Sequence, residues 1–381
     1  MAETTSTSGI PKEMKRLVVT SAGNATSVSD CTVEVQTVPT PTPGSGEVLV
    51  KVVAAPVNPS DYGSWFKSKP SSYPMVIGKE GCGVVVATGG GLTTYRVPVG
   101  TKVGFVCNGS EQGSYSEYVT LNAMTGAYPM PDDVPIEDCA SFMVNPYTAV
   151  GIIDTAQSAG SSKAIVHTAA ASQLGQMLNK LAPLKGMEII NVVRRQEQKE
   201  LLEKIGAKHI IVTDGEEDAW KAELKAKVKE LGATAAFDAV SGDMTGHLMD
   251  AMPSKGIVHL YGGLAGRAGN INPSDLIYRK KQLKSFYLTS WIQSGGPVKM
   301  VPRMLSAGKL VNSGLKSPDG WCCSQFQDTT MENAHGDIVQ LLGGSITGKK
   351  LRIRFGGDQS SEDGGTEEKE ADKEADKEAE S

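Results

Sequence analysis

The chain has 381 residues, a formal charge of −5, 39% hydrophobic residues and 43 glycines. That length suggests two domains, or one large domain with appendages. The acidic balance argues against a nucleic-acid binder, and no apolar run approaches the ~20 residues that a bilayer span needs.

Residues 1–15 are polar and expected to be flexible. They lack an apolar signal core, and Glu3 with scarce arginine counts against a transit peptide. The expected compartment is therefore the cytoplasm, with an organelle left open. From Arg16 to about Val119 the chain reads as short strands: LVVT, EVLVKVVAAPV, CGVVVAT, TKVGFV and YSEYVTL. Gly- and Pro-rich turns such as PTPTPGSG and GGGLTT separate them, which predicts a β-rich domain over residues 16–145. The six cysteines (Cys31, Cys82, Cys107, Cys139, Cys322 and Cys323) are scattered, with no CxxC pair and no histidine at ligand spacing. Thiols are expected rather than disulfides, and no metal site is expected.

Over residues 146–297 strands and helices alternate, which predicts a doubly wound parallel sheet. The strands are AIVH, EIINVV, HIIV, AAFDAV, IVHLYG and SFYLTS. Two amphipathic helices are clear, one closing at Gly206 and one at Gly232. Residues 298–356 carry further helix and a last strand, LRIRF, returning to the first domain. The tail, residues 357–381, has no hydrophobe larger than alanine in EEKEADKEADKEAES and is expected to be disordered. A solvated tail and a docking element for a basic partner are both open readings.

The most informative stretch is KAIVHTAAASQLGQMLNKLAPLKGMEIINVVRR, residues 163–195. It reads as strand, small-residue turn, helix and second strand. Such a unit aims backbone N–H groups and a helix N-terminus at a pyrophosphate. Ala171, Ser172, Gln173, Leu174 and Gly175 would form that cradle. About 20 residues beyond the turn, an arginine favours a 2′-phosphate over a free ribose hydroxyl. Arg194 and Arg195 stand there, so the unit points to NADP(H).

Ordered motifs add a family resemblance over residues 16–355: VNPSDY, GKEGCGVV, VPVGTKV, GSYSEYV, VNPYTAVG, the dinucleotide turn, FDAVSGD, YGGL and LKSFYLTSW. The chain resembles the medium-chain dehydrogenase/reductase superfamily on its zinc-independent side, the quinone oxidoreductases and trans-2-enoyl reductases. The resemblance implies a GroES-like catalytic domain interrupted by a Rossmann domain, an active site in the cleft between them, and a homodimer. Zinc-dependent members carry a Cys where this chain has Asn58 and a His where it has Lys79 before Glu80, so a soft tetrahedral site is not expected. On the cofactor side the resemblance adds Asn145 and Thr148 near the nicotinamide ribose, and Tyr261, Gly262 and Gly263 near the nicotinamide.

The implied chemistry is hydride transfer to an electron-poor double bond, with donors at the enolate oxygen and a proton to follow. Related enoyl reductases place a proton-donating tyrosine where direct alignment puts Lys69. Tyr62 and Tyr73 are the nearest phenols, each either a donor or a packed ring. Asn58 either donates its amide to a substrate carbonyl or is an ordinary turn residue before proline, and Lys79 either orients substrate oxygen or pairs with Glu80. His167 reads as a packed strand-end residue. Three functions follow: an NADPH-dependent reductase of a small electrophilic acceptor (a quinone or an α,β-unsaturated carbonyl), an enoyl-thioester reductase, or an NADPH-binding protein without turnover.

Overall fold

The computed structural model describes residues 9–23, 25–66, 72–107, 112–160, 163–316, 320–344 and 347–356; Lys69 and the acidic tail lie outside them. It is an α/β protein with a GroES-like β-rich part and a Rossmann sheet, as the sequence predicts. Six parallel strands form the second sheet, in the spatial order His209–Val212, Glu188–Val193, Ala164–Thr168, Ala235–Asp238, Ile257–Leu260 and Gln282–Ser285. The sheet grows outward in both directions from Ala164–Thr168, so the strand order reverses between that strand and Ala235–Asp238.

In the β-rich part Glu47–Pro56 pairs with Glu80–Thr88 on one side. On its other side it pairs with Tyr118–Asn122 and, near its end, with Lys350–Arg354 from the far end of the chain. A smaller sheet joins Thr32–Pro39, Glu13–Ser21 and Met75–Val76. The first strand begins at Glu13, so residues 13–15 are ordered where flexibility was expected. Met14 is the cause: it is buried with Leu49, Ala87 and Tyr118, and strand pairing follows that burial.

A second difference lies at SFYLTS. The strand is Gln282–Ser285, slightly earlier, and Leu288–Gln293 is helical. Phe286 and Trp291 instead turn inward onto the helix Val144–Ser158. Gly151 makes this approach possible, because a Cβ there would lie 2.8 Å from Phe286 and 3.0 Å from Trp291. One core thus runs from Ala54 and Cys82 through Phe142 and Ile152 to Ile165 and Phe237, and spans both parts of the molecule. Among the described residues, which include all six cysteines, there is no disulfide. No described helix is long and apolar enough to cross a membrane.

One row of that core is polar. His167, Phe237 and His259 are neighbours across three strands, and Phe237 stacks on His259 at 4.8 Å. Burial drives the His167 pKa down to about 3; burial, then the Lys284 charge, drives that of His259 down to about 4. Unfolded, both titrate near 6.5. The unfolded chain therefore binds more protons from about pH 6.5 down to about pH 4 for His259 and about pH 3 for His167. Their contribution to stability is complete above that window and is lost as the pH falls through it. Each histidine should weaken the fold by about 2 kcal/mol at pH 5. Urea denaturation at about pH 7.5 and about pH 5 measures this, and His259→Leu should flatten the dependence. An unchanged slope in the variant would contradict the assignment.

Candidate active site

The crevice outside the carboxyl ends of Ala164–Thr168 and Ala235–Asp238 is where a doubly wound sheet binds its ligand. The turn leaving the first strand is tight. Ala169 takes a left-handed φ of 50°, a conformation that costs a side-chain-bearing residue about 1–2 kcal/mol. Ser172 caps the helix Gln173–Leu184, its hydroxyl accepting from Gly175 N–H at 3.2 Å. Gly175 has no substitute, because a Cβ there would overlap the Ala170 carbonyl. Turn and helix are thus packed backbone to backbone, and the helix N-terminus is presented without side-chain bulk.

The cradle residues divide in their roles. Ala171 and Leu174 are buried, and their side chains pack into the core. The Gln173 amide turns away from the crevice, donating to the Gly348 carbonyl and accepting from Gln325 N–H at 3.0 Å. What the turn offers a ligand is backbone. Arg194 and Arg195 end the next strand, and the Gln198 side chain accepts from both of their N–H groups, at 2.9 and 3.3 Å. Arg194 is exposed, whereas Arg195 donates to the Thr347 hydroxyl at 2.9 Å and lies 3.7 Å from Glu197.

At the neighbouring strand ends, buried Asp238 accepts from Thr168 and Thr245 hydroxyls, each at 2.8 Å, and from Val240 N–H at 2.9 Å. This fixes the loop on which Gly262 rests; a Cβ on Gly262 would lie 2.6 Å from the Ala239 carbonyl. Gly262 and Gly263 are exposed. Tyr261 was expected beside the nicotinamide, but its ring stacks on His167 and its hydroxyl meets Nε2 at 2.6 Å. Buried on that side, the phenol braces the loop. Burial, with Asp238 adding, raises its pKa strongly, and His167 stays neutral, so neither shuttles protons at ordinary pH.

The opposite wall requires corrections. Asn58 does not present its amide to the cleft. It is fully buried, donating to Glu80 Oε1 at 3.0 Å and accepting from Lys350 Nζ at 2.6 Å. A buried primary amide must satisfy both ends, and these partners do so. Glu80 completes the network by accepting from Met143 and Val144 N–H at 3.1 and 2.9 Å, the start of the helix Val144–Ser158. Burial raises the Glu80 pKa and lowers that of Lys350, while their mutual attraction opposes both shifts. Asn145 and Thr148 follow directly on that helix, Asn145 half-buried and Thr148 buried.

Lys79 neither pairs with Glu80 nor turns inward. It is exposed and donates to the Ser60 carbonyl at 2.6 Å. Tyr73 donates its hydroxyl to the Trp65 carbonyl, so its phenol is held by backbone. Tyr62 is buried edge-on to Trp65, with centroids 6.5 Å apart. Burial, then the Asp61 charge, pushes its pKa up to about 12. Its ring belongs to the buried cluster of Trp65, Ile77 and Tyr115, the packed alternative of the sequence reading.

Comparison with known proteins agrees with this architecture. A family model described as the alcohol dehydrogenase GroES-like domain matches residues 44–132, and one described as zinc-binding dehydrogenase matches residues 174–305. A solved protein of Mesorhizobium loti, assigned as an NADPH:quinone reductase, is 30% identical with a TM-score of 0.75; the match covers 91% of this chain and 99% of that one. This chain belongs to the medium-chain dehydrogenase/reductase superfamily. Mitochondrial enoyl-[acyl-carrier-protein] reductase of Bos taurus is 28% identical over 338 residues, 84% of each chain. A mycobacterial protein solved in complex with NADPH is 25% identical, with a TM-score of 0.72 over 90% of this chain and 99% of its own.

Among the described residues, no group of three His, Cys, Asp or Glu could hold a metal ion. Where zinc-dependent members of the superfamily place their thiolate and imidazole, this chain has the Asn58 amide and the Lys79 ammonium. Sequence reasoning missed Lys350, the partner of Asn58, Thr347, which meets Arg195, and Gly348, which meets the nucleotide helix. No local signal marks them, since the lysine lies 292 positions from its amide.

Proposed function

We propose that this chain is an NADPH-dependent reductase that transfers hydride to a quinone or an α,β-unsaturated carbonyl without a metal. The observation that carries the reading is the close-packed turn before a Ser172-capped helix, with the exposed Arg194 at the end of the following strand. The residues fit the cofactor: backbone N–H groups for a pyrophosphate, a guanidinium for a 2′-phosphate, and exposed Gly262–Gly263 backbone for the nicotinamide amide. The mycobacterial relative solved with NADPH supports the same reading. Bound there, the cofactor supplies the hydride.

The metal-free reading rests on charge. Lys350 places an ammonium 2.6 Å from the Asn58 amide oxygen, which repels a second cation from that oxygen. Tyr62 is proposed as the proton donor to the enolate carbon on its place directly after the Asn58–Asp61 turn, with Tyr73 held to backbone instead. A second reading, enoyl-thioester reduction, is favoured by the likeness to the bovine enoyl reductase over most of both chains. We also propose a homodimer. Strand Gln282–Ser285 is an open edge with all four residues exposed, flanked by exposed Ile277, Tyr278, Tyr287 and Val298. An open edge pairs isologously with its own copy across a two-fold axis. A monomeric mass by light scattering would exclude that assembly.

A panel of a quinone, an α,β-unsaturated ketone and a 2-enoyl-CoA, each offered with NADPH and with NADH, tests the function. Turnover should favour NADPH with at least one acceptor; a 2-enoyl-CoA as the best substrate selects the second reading. NADPH binding without turnover on all three would leave a nucleotide-binding protein and refute the proposal. Tyr62→Phe should lower kcat about 100-fold with NADPH affinity unchanged, and Tyr73→Phe should stay within about twofold. An unaltered kcat in Tyr62→Phe would remove its role.

A further inference from the structure

The segment Thr347–Lys350 comes from the far end of the chain and touches both sides of the cleft. The Gly348 carbonyl accepts from the side-chain amides of Gln173 and, at 3.0 Å, Gln176, both buried on the first turn of the nucleotide helix. Gly348 has a left-handed φ of 74°, and a Cβ on it would overlap the Leu201 side chain. Its backbone is therefore fixed against two helices, Gln173–Leu184 and Gln196–Lys204. Lys350 turns inward to Asn58, which anchors the other end.

Between these anchors the segment meets the arginine pair. The Thr347 hydroxyl accepts from Arg195 Nη2 at 2.9 Å, while the Glu197 carboxylate lies 3.7 Å from Nε of the same guanidinium. A guanidinium drawn wholly onto a carboxylate is a poor phosphate ligand, because the two anions compete for the same fork of donors. Thr347, bonded to a different nitrogen, holds the group against swinging fully onto Glu197. Two residues further on, Lys349 is exposed and follows directly on Gly348, whose carbonyl meets the nucleotide helix.

We propose that Thr347 and Lys349 determine specificity for the cofactor's 2′-phosphate: Thr347 orients Arg195, and Lys349 adds a further positive charge to the subsite of Arg194 and Arg195. This rests on the NADPH reading above. It makes the terminal segment part of the nucleotide site, although that segment lies outside the nucleotide sheet and far from the turn in sequence.

The test measures binding to the full-length protein, by calorimetry, of NADPH, NADH, 2′,5′-ADP and 5′-AMP. Lys349→Ala should weaken NADPH and 2′,5′-ADP about tenfold, Thr347→Val about three- to tenfold, and both should leave NADH and 5′-AMP within about twofold. Lys349→Arg should retain phosphate preference. Equal weakening of phosphorylated and unphosphorylated ligands would make the segment merely structural and overturn the proposal, as would unchanged binding in both variants. A wild-type protein that binds NADPH and NADH equally removes the cofactor reading itself. Preference present in the wild type and untouched in the variants removes only the role of this segment.

Discussion

The fold converges on one buried carboxylate. Glu80 accepts hydrogen bonds from Asn58 of the β-rich part and from the first backbone amides of the helix Val144–Ser158; through Asn58 it is joined to Lys350 of the returning strand. Three stretches far apart in sequence are thus fixed by a single side chain. Removing any one partner would leave a charge or an amide buried without compensation, at a cost of about 3–5 kcal/mol. The network is internal: Asn58, Glu80 and Lys350 are all buried, so it fixes the backbone behind the reaction wall and does not face the cleft.

The nucleotide wall is governed by close backbone approach. Gly175 against Ala170, and Gly262 against Ala239, leave no room for side chains, and Ala169 accepts a left-handed conformation to make the turn. Asp238 and Gln198 then hold the flanking loops through hydrogen bonds to backbone N–H groups. The two walls share a core through Phe142 and Ile152 and are bridged again by Thr347–Lys350. The two walls are therefore joined both through a shared core and through one returning segment.

Much of this was legible in the sequence where the signal is local. A nearly continuous apolar run marked Glu47–Pro56, the apolar run 164–166 marked the first Rossmann strand, and Gly232 marked the end of a helix. The arginines after Val193 stand where the spacing placed them. What could not be read was the direction of polar side chains. Asn58 and Tyr261 found partners across the fold, and Lys79 and Tyr73 turned to nearby backbone carbonyls that the motifs do not announce. Thr32–Pro39 was missed although it alternates, because the proline-rich run after it reads as loop. SFYLTS was misplaced because aromatic residues that favour strands are used here to pack onto Gly151.

The central proposal is that this enzyme works without a metal, Asn58 being held internally between Lys350 and Glu80. Elemental analysis of the purified protein alongside NADPH-dependent turnover tests it most directly. The account predicts full turnover at substoichiometric zinc, unaffected by prolonged chelation and not raised by added zinc. Turnover that rises in proportion to bound zinc, and is lost on chelation with the fold intact, would contradict it.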